Sequence, residues 1–149
     1  MSSRELQATV QYAGEDLYVA ISPSGHAITL ETDGSRNSAA TPVELLLMGL
    51  GACTGSDVVS IMRKKQQKIT SYRVQVRGRR REKEPRGFTH IEVKHIVTGH
   101  NVSASSLEQA IELSETKYCS VAATLRPTAE IKSSYEIIDE VAAAASATP

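Results

Sequence analysis

The chain is expected to fold as an α+β domain with antiparallel sheets around a long, buried central helix. Three observations lead there. Residues 41–62, TPVELLLMGLGACTGSDVVSIM, are apolar around most of a helical circumference rather than along one stripe; a helix of that kind is buried on nearly all sides. Short runs of alternating apolar and polar residues lie before and after it, as in half-buried strands. The order that results, three strands, long helix, two strands, helix, turn and strand, is that of an α+β fold with antiparallel pairing.

Leu6, Ala8, Val10 and Tyr12 share one face of the first strand. After the turn-prone AGED, Leu17, Val19 and Ile21 resume the alternation, so the pair reads as a hairpin. SPSG at 22–25 turns the chain into a third strand, Ala27 to Glu31, and TDGSRNSAA at 32–40 is a loop by composition. The central helix has a defined start: Thr41 as N-cap, Pro42 at the first helical position and Glu44 completing a T-x-x-E capping box. Gly49, Gly51, Ala52 and Gly55 give it low-profile sites where another backbone could approach, and RKKQQK at 63–68 suits the negative end of its dipole.

Tyr72, Val74 and Val76 then alternate with Arg73, Gln75 and Arg77, a half-exposed strand. A charged connector containing Pro85 and Gly87 leads to a strand from Phe88 to Val97, with Ile91, Val93 and Val97 inward. Ser105 and Glu108 form a second capping box, opening a helix that runs to about Tyr118. A short helical turn after Cys119 stops before Pro127, and Ala129 to Ile138 is the last strand. Residues 1–140 are expected to form a single domain, with 141–149 a flexible tail.

Composition narrows the functional classes. The 149 residues, 40% apolar and 23% charged, suit one ordinary soluble domain. Lys+Arg and Asp+Glu both number 17, so net charge points to neither nucleic acid nor an anionic membrane. The basic run Arg77–Arg86 is interrupted by Glu82 and Glu84 and has no interleaved aromatic residue, so it reads as a solvated hairpin tip. MSSRELQATV lacks the apolar core of a signal peptide, and the longest apolar run is read as too short to span a bilayer. The cytoplasm is the expected compartment. Two cysteines alone do not build a disulfide framework.

No C-x-x-C, H-E-x-x-H, P-loop or G-x-S-x-G is present, and the four histidines, His26, His90, His95 and His100, have no metal-ligand spacing near a cysteine. Cys53 and Cys119 remain. From composition alone, a cysteine inside an apolar helix is more often inert packing than a reactive thiol. Cys53 lies about three turns inside the helix, beyond reach of its N-terminal dipole. Asp57, one turn later on the same side, would raise its pKa. A reactive Cys53 therefore needs a cation supplied by the fold, and Arg36, Lys117 and Arg126 are nearest to either cysteine in sequence.

TPVELLLMGLGACTGSDVVSIM, followed by a hairpin and helix and then KYCSVAATL, resembles the OsmC/Ohr family, the osmotically inducible and organic-hydroperoxide-resistance proteins. The resemblance covers about Leu6 to Ile138 and rests on a paired signature: a Pro-initiated apolar helix holding one cysteine, then a second cysteine opening a C-[PS]-V turn. It implies an intertwined homodimer in which two central helices pack beneath wrapped sheets. It also implies reduction of organic hydroperoxides, with Cys53 as the peroxidatic and Cys119 as the resolving cysteine. An external dithiol restores both thiols, and no metal, flavin or haem is required. The dimer has physical support of its own, because six short strands and one further helix are little cover for a helix apolar on nearly all sides.

Two departures from the better-known members stand out. They carry Glu directly after the helix-starting Pro, where Val43 stands here. Glu44 comes nine residues before Cys53, which at about 100° per residue puts it across the helix, as a capping residue rather than a catalytic one. The Ohr branch places a thiolate-stabilising Arg in the first hairpin turn, which here is AGED with Glu15; Arg36 is the candidate substitute. Cys53, Cys119 and Arg36 are thus the candidate catalytic residues, in a less characterised branch of the family. Two other readings compete: a redox-responsive or small-hydrophobe-binding dimer with little turnover, and a structural dimer whose cysteines are packing.

Overall fold

The computed structural model describes residues 4–140. The expected tail at 141–149 lies outside them. The chain parts into two compact units whose boundary, between Leu46 and Leu47, falls inside the long helix α1 (Pro42–Lys64).

The first unit is an antiparallel meander of β1 (Thr9–Gly14), β2 (Leu17–Ile21) and β3 (Ala27–Glu31). Its first turn is tight. Glu15 and Asp16 take φ of 53° and 63°, the left-handed pair that matches the twist of a two-residue hairpin but is unusual for residues other than Gly or Asn. The loop after β3 holds that turn in place: Thr32 donates to the Asp16 carbonyl through its N–H at 2.9 Å and its hydroxyl at 3.2 Å, and Arg36 donates to the Glu15 carbonyl. The loop then runs back along β3, where Glu31 N–H meets the Ala40 carbonyl at 3.0 Å. Thr41 caps α1 as expected, its hydroxyl accepting from Glu44 N–H at 3.3 Å.

In the second unit, β4 (Lys68–Arg80) and β5 (Phe88–His100) form a long antiparallel hairpin and β6 (Glu130–Asp139) lies on the other side of β5. Here the structure corrects the expectation of antiparallel pairing throughout, because β6 runs parallel to β5. Parallel neighbours need a crossover, and it is made by α2 (Ala104–Leu113), a π-helical turn (Ser114–Tyr118) and α3 (Ser120–Leu125). The core joins Val58 and Met62 of α1 to Val97 of β5 and to Leu107, Ala110 and Ile111 of α2. Gly51 and Gly55 do let α1 close on β4: a β-carbon on either would stand 3.1 Å from Val76 or 3.2 Å from Tyr72, whereas Gly49 meets nothing.

Burial on nearly all sides of α1 does not hold within one chain. Leu50, Thr54, Val58 and Met62 are buried at four-residue spacing, while Met48, Ala52, Ser56 and Ser60 form an exposed stripe on the other side. Nor is the helix too short to span a bilayer: its 23 residues include an 18-residue window of mean hydropathy 1.6. The core helix of a globular protein passes the same test, and Val58 and Met62 of the buried stripe belong to the core just described.

Two helix boundaries also differ from expectation. The second capping box is replaced by Ser103, whose hydroxyl accepts from Ser106 N–H at 3.2 Å, while Glu108 instead accepts from the Tyr135 hydroxyl at 2.6 Å. And α1 ends at Lys64, before the polar stretch is exhausted, because Gln66 turns left-handed at φ 57°. Gln66 and Gln67 N–H then return to the Arg63 and Met62 carbonyls, the paired bonds of a Schellman close. Glycine removes a left-handed penalty of about 1–2 kcal/mol at the cost of about 0.5–1 kcal/mol of chain entropy. Gln66→Gly is therefore expected to stabilise the fold by about 0.5–1 kcal/mol, read as a higher midpoint in urea with an unchanged slope.

Candidate active site

Three residues on one flank of α1 open the site. Cys53 is partly exposed, Thr54 is buried and Asp57 is partly buried. They can face a common neighbour because Thr54 and Asp57 are three residues apart and Cys53 and Asp57 four. That neighbour is the π turn. Its first residue, Ser114, is fully buried and donates its hydroxyl to Asp57 Oδ2 at 2.8 Å. Having spent its one proton there, it accepts from Thr54 Oγ1 at 2.9 Å. At the other end of the turn Cys119 N–H reaches back five residues to the Ser114 carbonyl at 2.9 Å.

The turn thus delivers Cys119 to the start of α3, 4% exposed, its sulfur accepting from Ala122 N–H at 3.4 Å. It also lies beside Cys53. Burial pushes the Cys119 thiol up to about 11 against the pull of the Ala122 N–H, and the neighbouring Cys53, as hydrogen-bond partner and as a second negative charge, pushes the same way. The two free thiols therefore differ: one partly exposed, the other dry and held protonated.

The cations named from the sequence are occupied. Arg36 bridges two carboxylates, Glu15 at 3.1 Å and Glu31 at 3.4 Å. Its guanidinium is thereby carried to the β1–β2 turn, the part of the chain where an arginine was sought. Burial pushes the Glu31 carboxyl up, but the Ser38 hydroxyl and N–H, then the Arg36 charge and Ala39 N–H, together hold it below its ordinary 4.5. Arg126 donates to the Glu115 carbonyl at 2.7 Å, and the Lys117 ammonium stands 5.3 Å from the centre of the Tyr118 ring.

The histidines are engaged with other partners. His26 bonds Ser24, His90 pairs with Glu130 and His100 with Glu140. His95 is fully buried against the Tyr72 hydroxyl at 2.6 Å, and burial lowers it to about 4. Among the described residues no three His, Cys, Asp or Glu side chains converge as a metal-binding group. Sequence reasoning missed Ser114; Thr54 and Asp57, polar residues three apart on the flank of α1 that holds Cys53, were the available signal.

Residues 34–134, which include both cysteines and Arg36, match the model of the OsmC-like protein family. The chain belongs to the OsmC-like family. It is 38% identical over 133 residues to Protein YhfA of Escherichia coli (strain K12), covering 89% of this chain and 98% of YhfA. Among solved structures, a hypothetical protein from Aquifex aeolicus VF5 is similar at 32% identity and a TM-score of 0.82, covering 92% of this chain and 98% of that one. An organic hydroperoxide resistance protein from Elizabethkingia anophelis shares the fold at 18% identity and a TM-score of 0.66, covering 91% and 98%.

The asymmetry of this OsmC-like thiol pair has a direct consequence for pH. Removing the Cys53 sulfur takes away two of the causes that raise Cys119. Cys53→Ala is expected to shift the alkylation profile of Cys119 by iodoacetamide to lower pH than in the wild type. In the wild type that rate climbs with pH up to about 11. Mass spectrometry of each labelled cysteine reads both profiles.

Proposed function

We propose that this OsmC-like chain is a cysteine-based peroxidase that reduces organic hydroperoxides in defence against oxidative stress. The observation that carries the reading is the pair itself: a partly exposed Cys53 beside a buried, protonated Cys119. Its greater accessibility supports Cys53 for the first step. Cys53 thiolate attacks the outer oxygen of R–OOH; an S–O bond forms, the O–O bond breaks, and the alkoxide takes a proton and leaves as alcohol. The sulfur gives up two electrons and the peroxide gains them. In the second step the Cys119 sulfur attacks Cys53–SOH, an S–S bond forms, and hydroxide leaves with the proton of Cys119 as water. Once Cys53 is a neutral sulfenic acid its negative charge no longer raises Cys119, so oxidation itself eases the deprotonation that resolution needs. A dithiol returns both sulfurs to thiols.

Arg36 is proposed as the cation that favours the Cys53 thiolate, the role the Ohr branch gives to an arginine of the first hairpin turn. Its anchoring in this chain's β1–β2 turn supports that assignment. The name of the Elizabethkingia anophelis neighbour supports organic hydroperoxides as the substrate class. A cytoplasmic site, where reduced thiols persist, suits two cysteines that are both free.

The working form is proposed to be a homodimer. Leu46 and Met48 on α1, and Leu6, Val10 and Tyr12 on the first unit, are large apolar side chains left exposed. A groove of about 700 Å³ runs along α1 beside β4, lined by Leu47, Met48, Ala52, Val59, Tyr72 and Val74 among others. Surface of that kind marks an interaction site. The same groove supports the second reading, a small-hydrophobe-binding or redox-responsive dimer with little turnover, and the occupied guanidinium of Arg36 favours slow chemistry.

The deciding experiment is consumption of cumene hydroperoxide with dithiothreitol. The wild type is expected to turn over, Cys53→Ser to lose more than 99% of the rate, and Arg36→Ala to need a higher pH for the same rate; a wild type without turnover gives the case to the second reading. For the dimer, Met48→Glu is expected to shift the molecular mass measured by light scattering from two chains to one.

A further inference from the structure

We propose that Ser114 is a positioning residue: by bonding Asp57 and Thr54 it latches the π turn to α1 and so holds the Cys119 sulfur in register with Cys53. The inference deepens the peroxidase reading and concerns its second step. Only a short stretch of irregular helix separates α2 from Cys119, and π turns interrupt regular helix at the cost of poorer hydrogen bonding. Left to itself, such a turn would let the sulfur wander. Ser114 removes that freedom twice over. Its side chain is tied to α1 at 2.8 Å and 2.9 Å, with the residue wholly buried, and its carbonyl holds Cys119 N–H at 2.9 Å. The α1 residues it grips, Thr54 and Asp57, are the neighbour of Cys53 in sequence and its neighbour one turn on. One serine thus joins the backbones that carry the two thiols. Asp57 acts here as a hydrogen-bond acceptor, a role distinct from the charge effect on Cys53 that its spacing first suggested.

Such a latch raises the effective concentration of one thiol toward the other, which governs disulfide formation whatever the oxidant. The test is therefore made in two arms. In the first, wild type, Ser114→Ala, Asp57→Ala and Asp57→Asn are equilibrated in reduced and oxidised dithiothreitol, and the Cys53–Cys119 disulfide is read by mass. Loss of a buried hydrogen bond to a charged acceptor is expected to lower the effective concentration about tenfold in Ser114→Ala and Asp57→Ala, a shift of about 30 mV for this two-electron couple. Asp57→Asn keeps an acceptor for the serine and is expected to stay near the wild type. In the second arm, one equivalent of cumene hydroperoxide is added with dimedone present. Ser114→Ala is expected to consume peroxide at the wild-type rate within about twofold while accumulating the dimedone adduct of Cys53.

Wild-type disulfide stability in both Ser114→Ala and Asp57→Ala overturns the proposal, as do equal losses in Asp57→Ala and Asp57→Asn. If Ser114→Ala does not fold, the two Asp57 variants decide. A wild type that ignores cumene hydroperoxide defeats the peroxidase reading and leaves the dithiothreitol arm to judge the latch alone.

Discussion

Helix α1 carries more apolar surface than the described residues of the chain cover, and much else in the structure answers to that excess. Of its buried stripe, Leu50, Thr54, Val58 and Met62, the last two pack on β5 and α2 of the second unit and Thr54 bonds Ser114 of the π turn. The opposite stripe keeps Met48 largely exposed and continues through small residues, Ala52, Ser56 and Ser60. Small residues make an exposed face tolerable in water and also make it closely approachable. A second copy laid on such a face would bury the methionine and bring helix backbones near each other without large side chains between them. The hydropathy that lets α1 pass for a membrane segment has the same origin.

The two cysteines meet at the boundary between those stripes. Cys53 stands between the buried flank and the open one, where a thiol can meet both a partner sulfur and a solute. Cys119 is supplied from the buried side by the crossover that β6 requires, since a parallel strand cannot follow β5 without one. A purely antiparallel sheet would have needed no such connection. The topology that sequence patterning missed is thus the one that carries the second cysteine. Burial then separates the two thiols, pushing Cys119 up to about 11 while Cys53 stays partly exposed.

Much of this was legible beforehand. The loaded start of α1, its glycine contacts and the order of strands and helices follow from local pattern, and local pattern is what a sequence displays. What escaped was set by partners distant in sequence. Gln66 closes α1 where no glycine advertises a left-handed residue. Ser103 took the cap from Ser105, two residues away and chemically alike. The parallel register of β6 depends on where the crossover helices pack, which alternation along one strand cannot report. Ser114 meets Thr54 and Asp57 across sixty and fifty-seven residues, so nothing in its own neighbourhood marks it.

Arg36 shows how a charge can be held without being neutralised equally by both its partners. Glu15 is largely exposed, and an ion pair in water is worth about 0–1 kcal/mol. Glu31 is fully buried, but it does not depend on Arg36 alone: Ser38 gives it a hydroxyl bond at 2.9 Å and an N–H bond at 3.1 Å. The carboxylate that most needs a partner is therefore already served by neutral donors, and the carboxylate that binds Arg36 end-on is the one water can replace. The Arg36 guanidinium is also bonded to the Glu15 carbonyl, so it is fixed at the β1–β2 turn by more than charge.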